Sequence, residues 1–159
     1  MHTQITEGFE QASQLHIIAQ QETAGTILLV EDEAFVRTVT CEVLQSAGYR
    51  VLVAENSAQA ATIYERRGRE VDLLLTDMIL PGETGLALAG RLRREDPGLT
   101  ILLVTGYTMQ MGLSALKPGE FLAKPFSMET LLRRVRQLLD GQELRTASEV
   151  SVTLACAIA

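Results

Sequence analysis

The stretch Leu73-Leu74-Leu75-Thr76-Asp77-Met78-Ile79-Leu80-Pro81-Gly82-Glu83-Thr84-Gly85 decides the fold. An unbroken apolar run ends in one carboxylate, and a Pro/Gly-rich loop follows at once. A short apolar run bounded by turn residues reads as a strand buried on both faces, the kind found in parallel sheets. A charge at the end of such a strand is expensive unless something pairs with it. The mouths of strands in open parallel sheets are also where ligands sit. Asp77 is therefore either a cap on its own loop or a reactive group on display.

Toward the N-terminus, Ile27-Leu28-Leu29-Val30 repeats the pattern and runs into Glu31-Asp32-Glu33. Phe35, Val36, Val39, Val43 and Leu44 then line one face of a helix, with Gly48 as its stop. Val51, Leu52 and Val53 make a second strand. Asn56-Ser57 offers a cap for a helix through about Arg67, ended by Gly68. The third strand runs from Val71 to Thr76 and closes on Asp77. Beyond the loop, Leu86, Leu88, Ala89 and Leu92 mark a third helix, stopped near Pro97-Gly98. Ile101 to Val104 is a fourth strand ending in Thr105-Gly106. Met109 to Leu116 allows one short helix, limited by Gly112 and Pro118. Phe121-Leu122-Ala123 is a short fifth strand before Lys124-Pro125. Ser127 caps a last helix striped by Leu131, Leu132, Val135, Leu138 and Leu139. Five alternations of strand and helix predict crossover connections, a parallel sheet and helices on both of its faces, an α/β domain over residues 26–140.

Residues 1–25 read as an N-terminal extension. A short amphipathic helix is the alternative, since Ile5, Phe9, Ala12, His16 and Ala19 recur at roughly helical spacing. In the tail, residues 141–159, Val150, Val152, Leu154, Cys156 and Ile158 alternate with small or polar residues. That is strand periodicity, able to extend a sheet edge within the chain or across a dimer, or else a disordered end. The 159 residues are 47% hydrophobic with a net charge of −6, ordinary for a soluble domain and unfavourable for non-specific nucleic-acid binding. No apolar run approaches the ~20 residues a membrane-spanning helix needs. The first Lys or Arg is Arg37, which argues against a secretory signal. Cys41 and Cys156 have no paired spacing and no His cluster, so they fit reduced thiols in a cytoplasmic protein.

In a parallel sheet all strand C-termini face one side. Glu31 and Asp32, Asp77, Thr105 and Lys124 therefore meet there: three carboxylates, a hydroxyl and an ammonium. Three half-buried anions sit together only with protons or a cation between them. A hard divalent ion with oxygen ligands, keeping several waters, suits them, and Mg²⁺ fits best. Lys124 is one of only two lysines, with Lys117; every other basic side chain is Arg apart from the two histidines. A compact ammonium at a tight site suits one phosphoryl or carboxylate oxygen.

The set Glu31-Asp32, Asp77, Thr105 and Lys124-Pro125, in this order at the ends of successive strands, resembles the response-regulator receiver domain of two-component signalling. The wording Leu-Thr-Asp-Met-Ile-Leu-Pro-Gly-Glu-Thr-Gly, with Thr-Gly-Tyr after the fourth strand, is most similar to receivers of hybrid sensor kinases or single-domain regulators. The resemblance implies a flavodoxin-like sheet of order 2-1-3-4-5. It also implies that Asp77 takes a phosphoryl group from a histidine kinase or phosphotransfer protein. Asp32, Asp77 and the backbone carbonyl of Ile79 then ligate Mg²⁺, with Glu31 acting through bound water. Lys124 pairs with Asp77 and afterwards with a phosphoryl oxygen. Thr105 swings to hydrogen-bond the phosphoryl group, and Phe121 is the aromatic switch that moves inward with it. A signalling module rather than an enzyme is implied, with contacts to a partner or a second copy that change on phosphorylation.

The positions two beyond Asp77 and two beyond Thr105 are Ile79 and Tyr107, neither suited to activate water, which predicts slow loss of the phosphoryl group. Only nineteen positions separate Thr105 from Lys124, so the intervening helix should be short. A haloacid-dehalogenase-like phosphatase also uses an Asp nucleophile with Mg²⁺, but it needs a second Asp where Ile79 stands. A flavodoxin-like cofactor binder needs a phosphate-cradling loop after the first strand, and Glu31-Asp32-Glu33 repels phosphate there. A receiver that only docks, without phosphorylation, fits the same residues.

Overall fold

The computed structural model describes residues 23–106 and 116–141. Five parallel strands form one sheet in the order β2-β1-β3-β4-β5. They are β1 (Thr26–Val30), β2 (Arg50–Ala54), β3 (Leu73–Asp77), β4 (Thr100–Thr105) and β5 (Phe121–Ala123). The described helices are α1 (Ala34–Ser46), α2 (Ser57–Arg67), α3 (Gly85–Glu95) and α4, residues 128–141. The possible helix between Met109 and Leu116, the extension and the alternating tail lie outside the described residues, apart from Leu116 itself and the ends of the two flanks.

The apolar strands are hydrophobic on both sides because the sheet is a middle layer. Leu28, Val30, Leu74 and Ile101 point to one face, where α2 and α3 bring Ala60, Tyr64, Leu88, Ala89 and Leu92. Ile27, Leu29, Leu73, Leu75, Leu102 and Val104 point to the other, where Leu44 of α1 and Leu131, Val135 and Leu139 of α4 cover them. Successive side chains of a strand alternate between faces, so one run of leucines fills two cores.

The capping residues act as expected. The Asn56 side chain accepts the Gln59 amide at 2.8 Å, and Ser127 Oγ accepts the Thr130 amide at 3.1 Å. Gly48 ends α1 with φ +94°, a conformation that glycine adopts at little cost.

Two sequence expectations need correction. Phe35, placed on the apolar face of α1, is 75% exposed. The buried face of that helix centres on Thr40 and Leu44, one to three turns further along. β3 begins at Leu73, not Val71, since the Val71 amide is taken by Gly68 O in a short 3-10 turn. Gly68 ends α2 as expected, in a right-handed conformation (φ −55°), and leads into that turn.

Candidate functional site

Register brings the strand ends together. Asp77 pairs with Val104, and Thr105 with Ala123, so the residues that follow lie at one edge of the sheet. The Lys124 amide donates to Thr105 O at 2.8 Å, and the Met78 amide to Val104 O at 2.7 Å. The Lys124–Pro125 peptide is cis.

Asp77 is the centre of the arrangement. Its Oδ2 accepts the Lys124 ammonium and its Oδ1 accepts the Ile79 amide at 2.9 Å. The carboxylate is 12% exposed, sheltered yet reachable. Burial pulls the Lys124 pKa down, but the hydrogen bond and charge of Asp77, with Glu31 and Glu33 beyond, raise it above its ordinary value. This lysine stays charged.

Glu31 is buried, and Oε1 accepts the Glu33 amide at 3.1 Å. Burial pushes its carboxyl up; the Glu33 amide and Lys124 pull it back, while the charges of Asp77 and Asp32 push with burial. Asp32 is exposed. A small cavity bordered by Glu31, Thr40, Thr76, Asp77, Lys124 and Phe126 lies at this corner of the sheet.

Among the described residues no three acidic, His or Cys side chains close on a common point as a full set of metal ligands. Mg²⁺ does not require such a cage, because it keeps several waters and takes one or two carboxylates. The fit is tested by the donor set itself: Glu31, Asp32 and Asp77 bring three carboxylates to the strand mouths, and the ion pair of Lys124 goes to Asp77. An all-oxygen donor set with surplus charge suits that ion.

Thr105 is buried at the end of β4. Phe121 is half-buried at the start of β5, and its carbonyl accepts Arg134 Nη1 at 3.3 Å. Ile79, two positions past Asp77, is 58% exposed.

Three further features were not singled out in the sequence. Gly85, where α3 begins, packs against the Asp77 carbonyl so tightly that a Cβ there falls 1.9 Å from the oxygen. Its signal was a glycine at the start of a helix, where Thr84 already supplies the cap by accepting the Ala87 amide at 3.1 Å. Glu120, buried just before β5, pairs with Arg93 of α3 and accepts the Lys117 amide at 2.7 Å. Arg37 bonds the turn after β1. Neither of these long-range contacts has a local sequence signature.

A family model for the response regulator receiver domain matches residues 27–136. The sensor kinase CckA of Brucella abortus (strain 2308) is 37% identical over 123 residues, 76% of this chain and 13% of that protein. The response regulator receiver protein CpdR of the same organism is 35% identical over 117 residues, covering 71% of this chain and 95% of the relative. The response regulator TrrA of Thermotoga maritima, solved in complex with Mg(2+)-BeF, superposes with a TM-score of 0.64 at 30% identity, over 72% of this chain and 98% of that one. This chain thus spans nearly all of one relative and a small part of another. It belongs to the response regulator receiver domain family.

Proposed function

We propose that residues 26–140 form a phosphoacceptor receiver in a two-component phosphorelay, flanked by an extension (1–25) and a tail (141–159). The phosphoryl group is taken on Asp77 from a phosphohistidine of a histidine kinase or phosphotransfer protein. The observation that carries this reading is the Asp77 carboxylate at the mouth of the sheet, held between the Lys124 ammonium and the Ile79 amide.

The two donors fix the carboxylate, one on each oxygen. An Asp77 oxygen attacks phosphorus as the P–N bond to the donor imidazole breaks. The imidazole leaves with the electron pair, and an acyl phosphate remains. Phosphoryl transfer asks the protein mainly for alignment and for neutralised oxygens. Lys124 supplies one positive charge and passes from Asp77 to a phosphoryl oxygen. The Thr105 hydroxyl donates to another, with Phe121 following it inward. Asp32, Asp77, the Ile79 carbonyl and, through water, Glu31 are the groups that hold Mg²⁺. When bound there, the ion supplies the remaining positive charge, and the Mg(2+)-BeF in the TrrA structure supports its use.

The output is a change of contacts with a partner or a second copy of the chain, with no nucleic acid bound directly. We place this in the cytoplasm; among the described residues no helix is long and apolar enough to cross a membrane. Incubation with acetyl phosphate and Mg²⁺, followed by intact mass measurement, tests the reading. One added phosphoryl group in the parent and none in Asp77→Asn is expected. No addition to a parent that binds Mg²⁺ favours docking without phosphorylation or a site that only its own kinase loads.

A further inference from the structure

Two adjacent acidic residues at the end of β1 need something to hold them, since their charges repel and Glu31 is buried. Their own side chains do little of this, beyond the contact from the Glu33 amide to Glu31 Oε1. The restraint comes from Arg37, one turn into α1. Its Nη1 donates to Glu31 O at 2.8 Å and to Asp32 O at 3.1 Å. Its Nη2 donates to Glu55 Oε1 at 3.1 Å, across the mouth of β2. The Arg37 amide donates to Glu33 O at 2.9 Å, so the residue grips this turn through both side chain and backbone.

We propose that Arg37 is a positioning residue for the Mg²⁺ site, acting through the main chain of Glu31 and Asp32. The inference rests on the reading of those two acids as Mg²⁺ groups. One guanidinium nitrogen bonded to two successive carbonyls fixes the peptide plane between them. That plane sets the direction in which both carboxylates leave the backbone. The guanidinium adds positive charge behind the turn while leaving the carboxylate oxygens free for a cation in front. Its side chain is 15% exposed, so water competes weakly for the carbonyls. Glu55 is 62% exposed, and the ion pair it makes is of the solvent-screened kind that contributes little. The two carbonyl contacts therefore carry the effect. Lysine does not reproduce this grip, because its ammonium ends one bond short of the guanidinium nitrogen that reaches both carbonyls and is more strongly hydrated.

The test is Mg²⁺ titration by calorimetry on the full chain, for the parent, Asp77→Asn, Arg37→Met, Arg37→Lys and Glu55→Gln, with thermal unfolding in EDTA beside it. Outer residues that orient metal ligands commonly change affinity by about 10–100-fold. Arg37→Met and Arg37→Lys are expected to weaken Mg²⁺ binding about tenfold or more while still unfolding cooperatively. Glu55→Gln is expected to stay within about twofold of the parent. Affinities of both Arg37 variants within about twofold of the parent, whatever their melting temperatures, overturn the proposal and leave Arg37 a purely structural residue. Equal losses in Glu55→Gln and Arg37→Met also overturn it, since the ion pair would then matter and not the carbonyls. A parent that fails to bind Mg²⁺, or binds it no better than Asp77→Asn does, sinks the site assignment instead.

Discussion

Gly85 closes on the Asp77 carbonyl with no room for even one more carbon: a Cβ at residue 85 falls 1.9 Å from that oxygen and 2.9 Å from the Thr76 hydroxyl. The Gly85 amide meanwhile donates to Met78 O at 2.9 Å, drawing the loop after Asp77 into a closed turn. Any residue but proline could donate that amide; it is the missing Cβ that requires glycine there. Gly85→Ala must push α3 or the end of β3 aside, and overpacking of this kind typically costs ~1–3 kcal/mol. Urea unfolding should show that loss. Loading of Asp77 by acetyl phosphate should fall more steeply than stability, because the displaced atoms belong to the acceptor residue itself.

Glu31 gives a pH prediction. Its folded pKa is raised, chiefly by burial and then by the charges of Asp77 and Asp32, against the pull of the Glu33 amide and Lys124. The folded state therefore prefers the protonated acid, and stability falls as pH rises from about 4.5, the unfolded value, through the folded one. Above the folded value the penalty is fully present. Glu31→Gln removes it and is expected to raise the melting temperature by a few degrees at pH 7 in EDTA, and by nothing at pH 4. Equal gains at both pH values would locate the effect in packing instead of charge.

Mg²⁺ should stabilise the fold in the same window. A ligand at 100 times its dissociation constant adds about 2.7 kcal/mol. Melting curves with and without Mg²⁺ should separate most near pH 7–8 and converge as the pH falls through the carboxylate range. Asp77→Asn should bring the two curves closer at every pH.

The Arg93–Glu120 pair is a stability device far from the acceptor. Glu120 is 3% exposed and Arg93 18%. Removing one partner of a buried pair typically costs ~3–5 kcal/mol, because the other charge is left without compensation. Glu120→Ala is expected to approach that loss in urea unfolding. Glu120→Gln, which can still accept from Arg93 and the Lys117 amide, should lose less than half as much.

Ile79 bears on the lifetime of the acyl phosphate. Its apolar side chain is 58% exposed and its amide is fastened to Asp77 Oδ1, so the position next to the acceptor offers water no base. The phosphorylated protein should decay slowly with Mg²⁺ present. Ile79→Glu places a carboxylate there and should shorten the lifetime about tenfold, a modest general-base effect. Rapid decay of the parent, unchanged by Tyr107→Ala, would rule out this account.

Most of the architecture was legible because it is written in local pattern. The apolar runs at 27–30, 73–75 and 101–104 could only be strands of a middle layer, and the polar residues that end them mark the mouth of the sheet. Thr105, Asp77 and Lys124 were found in this way, without any knowledge of contacts. Phe35 was misplaced because helical spacing identifies a stripe but not where the neighbouring layer stops. Val71 was misplaced because a β-branched residue next to a strand looks like part of it until a turn claims its amide. Gly85, Arg37 and Glu120 escaped for a different reason. Their meaning lies in a contact with Asp77, with the carbonyls of Glu31 and Asp32, or with Arg93, and no pattern along the chain encodes such a pairing.

The hydrogen bond from the Lys124 amide to the Thr105 carbonyl has a mechanical consequence. It is a rung of the ladder between β4 and β5 that joins two residues the chemistry needs at once. Backbone motion of either strand carries both, so the two residues keep their backbone spacing while their side chains remain free to turn. On the proposed function, a signal would be written into this domain by torsion of side chains, with this rung of the sheet kept as the frame.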